Sequence, residues 1–148
     1  MKPAATACQL RPMTLADYEA VIRLWETTEG VGLGESDTRP AIESYLARNP
    51  GLSFVACVEG KIVGAALCGH DGRRGYLHHL AVAGSHRGRG LGKRLVAACL
   101  AGLCRLGIPK CNLFLFAANA AGETFWRHNG WLDRHDLRVM QKAVGQPE

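Results

Sequence analysis

Apolar residues recur at helical spacing over Leu15, Tyr18, Val21, Ile22, Leu24 and Trp25. That spacing lines one stripe of an amphipathic helix toward a core. Thr14 precedes the stripe as an N-cap, and Asp17 falls in the first turn. Gly30-Val31-Gly32-Leu33-Gly34 breaks the pattern and predicts the end of the helix and a loop. Pro40, at a first helical position, opens a short second helix through about Ala47, and Asn49-Pro50-Gly51 stops it. The period then shortens. Ser53 to Val58 and Ile62 to Gly69 read as strands joined by the tight turn Glu59-Gly60-Lys61. His70 to Gly75 is a further turn, and Tyr76 to Val82 extends the meander. Gln9 to Pro12 reads as a short first strand.

Leu91 to Leu106 is a strong helix with Leu91, Leu95, Val96, Cys99, Leu100 and Leu103 inward, stopped by Gly107 and followed by Pro109. Cys111 to Ala117 is almost wholly apolar and reads as a central, buried strand. Ala120 to His128 is a short helix, Asn129-Gly130 turns the chain, and Trp131 to Ala143 reads as a final hairpin. The order is β α α β β β α β α β β. It predicts an α/β (α+β) domain with a mixed sheet and helices on both faces.

Composition adds bounds. The chain has 148 residues, 47% hydrophobic and 21% charged, with no repeat or linker to divide it. We expect one domain over 1–148 and exclude a disordered chain. No apolar run approaches the ~20 residues of a membrane span. Met1 to Leu10 lacks the apolar segment of a signal peptide, so a cytoplasmic protein without a membrane partner is expected. The six cysteines include no Cys-x-x-Cys; they read as reduced thiols rather than disulfides or a metal site. The formal net charge is +5, and Arg87, Arg89, Lys93 and Arg94 crowd one stretch without an acid. A single dense basic loop with glycines points to a phosphate ligand more than to a nucleic-acid stripe.

That loop is Arg87-Gly88-Arg89-Gly90-Leu91-Gly92, followed by Lys93, between a strand and a helix. The first helical N–H groups lack intrahelical partners, and the helix dipole is positive there. Glycines allow close backbone approach to phosphate oxygens. Two phosphate motifs fail on spacing. Arg94 stands where a P-loop needs Ser or Thr, and Lys93 stands where the dinucleotide fingerprint needs its last glycine.

The loop does match Arg/Gln-x-x-Gly-x-Gly/Ala, and the chain thereby resembles the GCN5-related N-acetyltransferase (GNAT) superfamily, in particular its small bacterial members. Leu80-Ala81-Val82 lies five residues before Arg87, as at that family's strand-to-loop junction. Asn119-Ala120-Ala121, Phe125-Trp126 and Gly130-Trp131 resemble its Asn-x-x-Ala, Phe-Tyr and Gly-Phe segments in order. The resemblance implies a mostly antiparallel sheet of about six to seven strands, splayed between Tyr76–Val82 and Cys111–Ala117 to make a cofactor cleft. It implies acetyl-CoA as acyl-donor cosubstrate and direct transfer to a primary amine of a small molecule or peptide. Backbone at Leu80, Ala81 and Val82 would bind the thioester and pantetheine. The N–H groups of Gly88 to Gly92, with Arg87, Arg89 and Lys93, would bind pyrophosphate. Asn119 would reach the pantetheine arm or cap the helix that follows it. Trp126 would pack on pantetheine, on an aromatic substrate or within the core.

Acyl transfer requires deprotonation of the amine, a donor for the oxyanion and relief for the thiolate. Simple alternation puts Tyr76, His78, Leu80 and Val82 on one face of their strand, and Leu77, His79 and Ala81 on the other. Members that act on arylalkylamines carry histidines at the places of Tyr76 and His78, which by resemblance makes His78 the candidate base; a hydrogen bond within the sheet is its alternative role. His79 is assigned to structure. The glutamate of other members is Phe114 here and their tyrosine acid is Trp126, which leaves Tyr76 as the candidate acid, with water or no group at all in that role as the alternative. Leu80 or Val82 supplies the backbone donor. The acceptor pocket is expected at Gly30 to Asp37 and the final hairpin, with Glu29, Glu35 and Asp37 either attracting a cationic amine or solvated. The missing groups leave a non-catalytic acyl-CoA-binding sensor or interaction module as the alternative function. Many relatives dimerise, and a homodimer is left open.

Overall fold

The structure, a computed structural model, describes residues 7–145, so the expectation for the first six residues lies outside it. The chain divides into two compact units, Met1–Phe116 and Ala117–Glu148, described separately.

In the first unit a meander forms where the short period predicts it. β1 (Gln9–Pro12), β2 (Phe54–Val58), β3 (Lys61–His70) and β4 (Gly75–Val82) pair antiparallel in sequence order. The β2–β3 hairpin closes on Glu59 and Gly60, both at positive φ (51° and 77°), the two-residue turn whose twist matches its strands. β5 (Cys111–Leu113) joins β4 in parallel.

α1 (Tyr18–Glu26) follows a 3-10 turn at Leu15–Asp17, in which the Thr14 N–H donates to the Asp17 carboxylate (2.9 Å). α2 (Arg39–Arg48) starts on Thr38, whose hydroxyl accepts from the Ala41 N–H, and carries Pro40 in its first turn. Val21, Trp25 and Ile42 from these helices pack on Val55, Ala65, Leu67 and Ala81 of the sheet. α3 (Leu91–Arg105) covers the opposite face. A Cβ on Gly64 would stand 3.0 Å from Leu95, and one on Gly75 only 2.4 Å from Leu103. Gly107, at φ 76°, ends α3 with Ile108 N–H donating to Leu103, as the glycine stop predicts.

Two expectations about strands fail. The sheet has five strands among the described residues, not six to seven, because 131–143 forms no hairpin. Its polar run Asp133-Arg134-His135-Asp136 cannot alternate, and it folds on itself: Arg134 grips Asp136 (2.8 Å) and the Leu137 N–H bonds the Arg134 carbonyl. The apolar run at Cys111 to Ala117 is also not a central strand. β5 is three residues long at the sheet edge, and Phe114 and Phe116 are each 61% exposed. Hydrophobicity showed that the run could be buried but not where its partner strand would leave it.

The second unit holds α4 (Ala120–His128), capped by the Asn119 side chain accepting from Gly122 N–H at 2.9 Å. Trp126 meets Phe125 and Trp131 edge-on, each at 5.0 Å between ring centroids. Among the described residues no helix is long and apolar enough to cross a membrane.

Candidate active site

β4 carries the central irregularity. Leu67 faces His78 and Ala65 faces Ala81, so β3 advances two residues while β4 advances three. The extra residue is a bulge, and His79 sits in it at φ 53°. The expected alternation therefore holds only as far as His78. Opposing residues share a face, so Tyr76, His78 and Ala81 look toward α1 and α2, opposite Gly69, Leu67 and Ala65. Val82, opposite Gly64, looks toward α3. His79 also turns to the α1 side, where its ring meets Trp25 edge-on at 5.0 Å.

The bulge coincides with an opening. β4 and β5 pair only over Gly75–Leu77 and Cys111–Leu113. Beyond Leu77, β4 runs on through Leu80, Ala81 and Val82 with no ladder to β5. Their backbone edge on that side is the polar edge available to an extended ligand.

Four rings gather at this opening. Tyr76 and His78 lie parallel within 6°, with centroids 6.4 Å apart. Phe114 leans toward both, at 6.2 and 6.1 Å. Tyr45 of α2 meets His78 edge-on at 6.4 Å. Burial holds the His78 pKa below the ordinary 6.5; His79 lowers it further, and Asp37 opposes them. His78 is thus neutral at pH 7, the form that accepts a proton.

Asp37 is not the solvated acid of the sequence reading. It is 8% exposed and accepts from His79 Nε2 (2.8 Å) and from Gly34 N–H (2.9 Å). Tyr18 donates to its carbonyl at 2.8 Å. Glu29 and Glu35 are exposed. The loop after α1 is thereby tied to the β4 bulge. Neither the Asp37–His79 bond nor the place of Tyr45 had a signal in the sequence: the first depends on the bulge and the second on how α2 packs over the sheet.

At the far end of β4, Gly88 and Gly90 both take φ 77°, and a Cβ on either would meet nothing within 4 Å. Gly90 is the N-cap of α3 and has no side chain to cap it; the first helical bond is Arg94 N–H to Gly90 carbonyl, 3.1 Å. The N–H groups of Leu91, Gly92 and Lys93 precede that bond at the positive end of the helix dipole. Arg89 and Lys93 are exposed beside them. Arg87 uses its Nε to hold the Val82 carbonyl (3.1 Å), which fixes the loop to the strand. The first unit thus gathers Tyr76, His78, Leu80, Ala81, Val82 and the glycine loop along one strand and its exit. Asn119 and Trp126 belong to the second unit.

The model of the acetyltransferase (GNAT) family matches residues 18–131, and the chain belongs to that family. It is 34% identical over 132 residues to the acetyltransferase plu1384 of Photorhabdus laumondii, covering 89% of this chain and 92% of that one. Among solved structures, Ard1 from Thermoplasma volcanium superposes with a TM-score of 0.75 at 21% identity, covering 85% and 83% of the two chains. The aminoglycoside N-acetyltransferase AAC(6')-Iy, solved in complex with CoA, gives 0.75 at 19% identity over 97% and 100%. At those identities the two structures bear on the fold alone.

Proposed function

We propose that this chain, acting as one catalytic domain, transfers an acetyl group from acetyl-CoA to a primary amine by direct transfer in a ternary complex. The observation that carries the reading is the open, uncapped start of α3. Left-handed Gly88 and Gly90 stand there clear of other atoms, at the end of a strand that has parted from its neighbour. These residues fit a pyrophosphate: unpaired N–H groups, a positive dipole end, and the charges of Arg89 and Lys93. The free edge at Leu80, Ala81 and Val82 suits an extended amide-containing arm. For Asn119 and Trp126, which lie in the second unit, the family resemblance supports a role toward pantetheine. Bound acetyl-CoA supplies an activated acetyl group on a thiolate leaving group.

The chain's own residues then have three tasks. Neutral His78 takes the proton from the incoming ammonium. The N–H of Leu80 or Val82 donates where negative charge develops. The Tyr76 hydroxyl, on the same face as His78, donates toward the leaving sulfur.

Calorimetric titration of acetyl-CoA into the wild type and Gly90→Glu tests the donor site. Gly90→Glu puts a carboxylate beside the uncapped N–H groups and a side chain on a left-handed backbone, and should abolish binding. Binding that survives unchanged would remove the loop from the site. Acetylation of any amine, abolished by His78→Ala, separates an enzyme from a binding module.

A further inference from the structure

His79 keeps a left-handed backbone inside a strand, at φ 53°. Strain of that kind persists only where the surroundings hold it, and it gathers at functional sites. The polar group that His79 meets is Asp37: Nε2 lies 2.8 Å from Oδ1, and both side chains are largely buried. The remaining bonds of Asp37 stay on its own side. Oδ2 accepts from Gly34 N–H (2.9 Å), its N–H donates to the Gly34 carbonyl (3.0 Å), and its carbonyl accepts from the Tyr18 hydroxyl (2.8 Å). Among the described residues, the bond to His79 is therefore the one hydrogen bond that joins residues 28–37 to the sheet.

The tied segment reaches the opening. Val31 and Leu33 rest half-buried on the core, and Gly32 between them lies against Phe116, where an added Cβ would stand 2.8 Å from Cζ. Phe116 follows shortly after β5 ends at Leu113. Residues 30–34 thus run from the tie at the β4 bulge to the chain beyond β5. Glycines at 30, 32 and 34 leave such a span with much backbone freedom, which a bond at its end restricts. We infer that His79 is a positioning residue for acyl transfer: through Asp37 it holds Gly30 to Gly34 as a wall on the acceptor side of the β4–β5 opening. It does so by hydrogen bonding and moves no proton of the reaction. The inference rests on the acyl-transfer reading above, and it concerns how the acceptor is held rather than which amine it is.

The test measures CoA release by wild type, His79→Ala and His79→Gln with n-butylamine, spermidine, glycyl-glycinamide and kanamycin, and takes the fastest acceptor forward. Gln carries an amide N–H near the place of Nε2 and no titrating ring. Loss of a hydrogen bond to a carboxylate corresponds to about tenfold in affinity. His79→Ala should therefore raise the acceptor KM about tenfold, with kcat and the KM for acetyl-CoA within about threefold, the pattern of lost binding rather than lost chemistry. His79→Gln should bring the acceptor KM back to within about threefold of wild type. Amide hydrogen exchange should quicken over residues 28–36 in His79→Ala and stay unchanged in β2 and β3. A merely structural role would lower kcat through the active fraction and leave the acceptor KM in place. That pattern, or a Gln variant as weak as Ala, overturns the inference and leaves acyl transfer standing. Should His79→Ala not fold, His79→Gly removes the same bond on a backbone that glycine adopts without strain, and the same outcomes decide. Gly32→Ala presses on exposed Phe116 and spares the tie. It should also raise the acceptor KM and leave acetyl-CoA unaffected; an unchanged acceptor KM there overturns the wall. No acetylation of any amine by protein that binds acetyl-CoA overturns both readings.

Discussion

The left-handed backbone at His79 reverses the usual ranking of glycine and alanine in a strand. At an extended position glycine is the weaker residue by about 0.5–1 kcal/mol, because it loses more freedom on folding. At φ 53° an L-residue with a Cβ carries about 1–2 kcal/mol of strain that glycine lacks. His79→Gly and His79→Ala both lose the bond to Asp37, which leaves a carboxylate only 10% exposed with Gly34 N–H as its remaining side-chain partner. A hydrogen bond to a charged group contributes about 1.5–3 kcal/mol. The Trp25 edge contact adds about 0.5–1.5 kcal/mol. Each variant should therefore lose about 2–4 kcal/mol, with glycine ahead of alanine by about 0.5–1 kcal/mol. Urea unfolding with a common m-value measures the difference, and thermal melts should separate the pair by about 1–4 °C. The same two substitutions at Asn112, an exposed β5 residue without positive φ, should rank the other way. Alanine equal to or better than glycine at 79 would mean that the bulge relaxes without its histidine. The face switch would then not be intrinsic to β4.

Three further outcomes follow from particular contacts. Gly75→Ala drives a methyl to within 2.4 Å of buried Leu103, so chemical denaturation should show about 1–3 kcal/mol of overpacking loss; a neutral result would mean that α3 shifts freely. Asp17 has its pKa lowered below 3.8 by the bidentate Arg11 (2.7 Å to each oxygen) and by the Thr14 N–H. A depressed folded pKa gives stability that is full above pH 3.8 and lost as pH falls through the folded value, so Arg11→Ala should cost about 1 kcal/mol at pH 7, screened by the half-exposed guanidinium, and much less at pH 2 in urea titrations. For His78 the lowered pKa puts the acid limb of kcat/KM, which reports the free enzyme, below pH 6.5, and Asp37→Asn should move that limb lower still, since Asp37 raises it. A limb at or above 6.5 in the pH–rate profile would count against His78 as the base.

The periodicity of the chain was enough for the helices. Leu91, Leu95, Cys99 and Leu103 recur with the period that buries them, and Gly107 ends α3 where a glycine is expected. The glycine loop was legible for a local reason as well: unpaired N–H groups, glycines and cations lie within seven residues. What the sequence hid is non-local. A run such as Tyr76-Leu77-His78-His79-Leu80 alternates equally well with or without a bulge. His79 looked structural and turned inward, and its partner Asp37, 42 residues earlier, looked solvated. The strand total failed for a related reason. An apolar run such as Cys111 to Ala117 shows that it can pair, but not that its neighbour departs after three residues.

That departure and the bulge fall next to each other along β4. An extra residue in β4 changes which side chains face α1, and the ladder to β5 ends at Leu77, just before it. The bulge turns His79 to the α1 side, where His78 already faces, and Leu80, Ala81 and Val82 follow it without a ladder to β5. The glycine loop lies one short 3-10 turn further on, held to Val82 by Arg87. A regular β4 would return Val82 to the face of His78. The order of the parts along the chain (histidine, bulge, free edge, loop, helix start) is therefore the order in which an acceptor amine, a thioester, a pantetheine arm and a pyrophosphate would be met. Removing the bulge should abolish donor binding while every side chain proposed to touch the donor is still present. Deleting His79 alone, with circular dichroism to establish folding and acetyl-CoA calorimetry to read the site, makes that distinction; a folded deletion variant that binds with wild-type affinity would show that the free edge does not depend on the bulge.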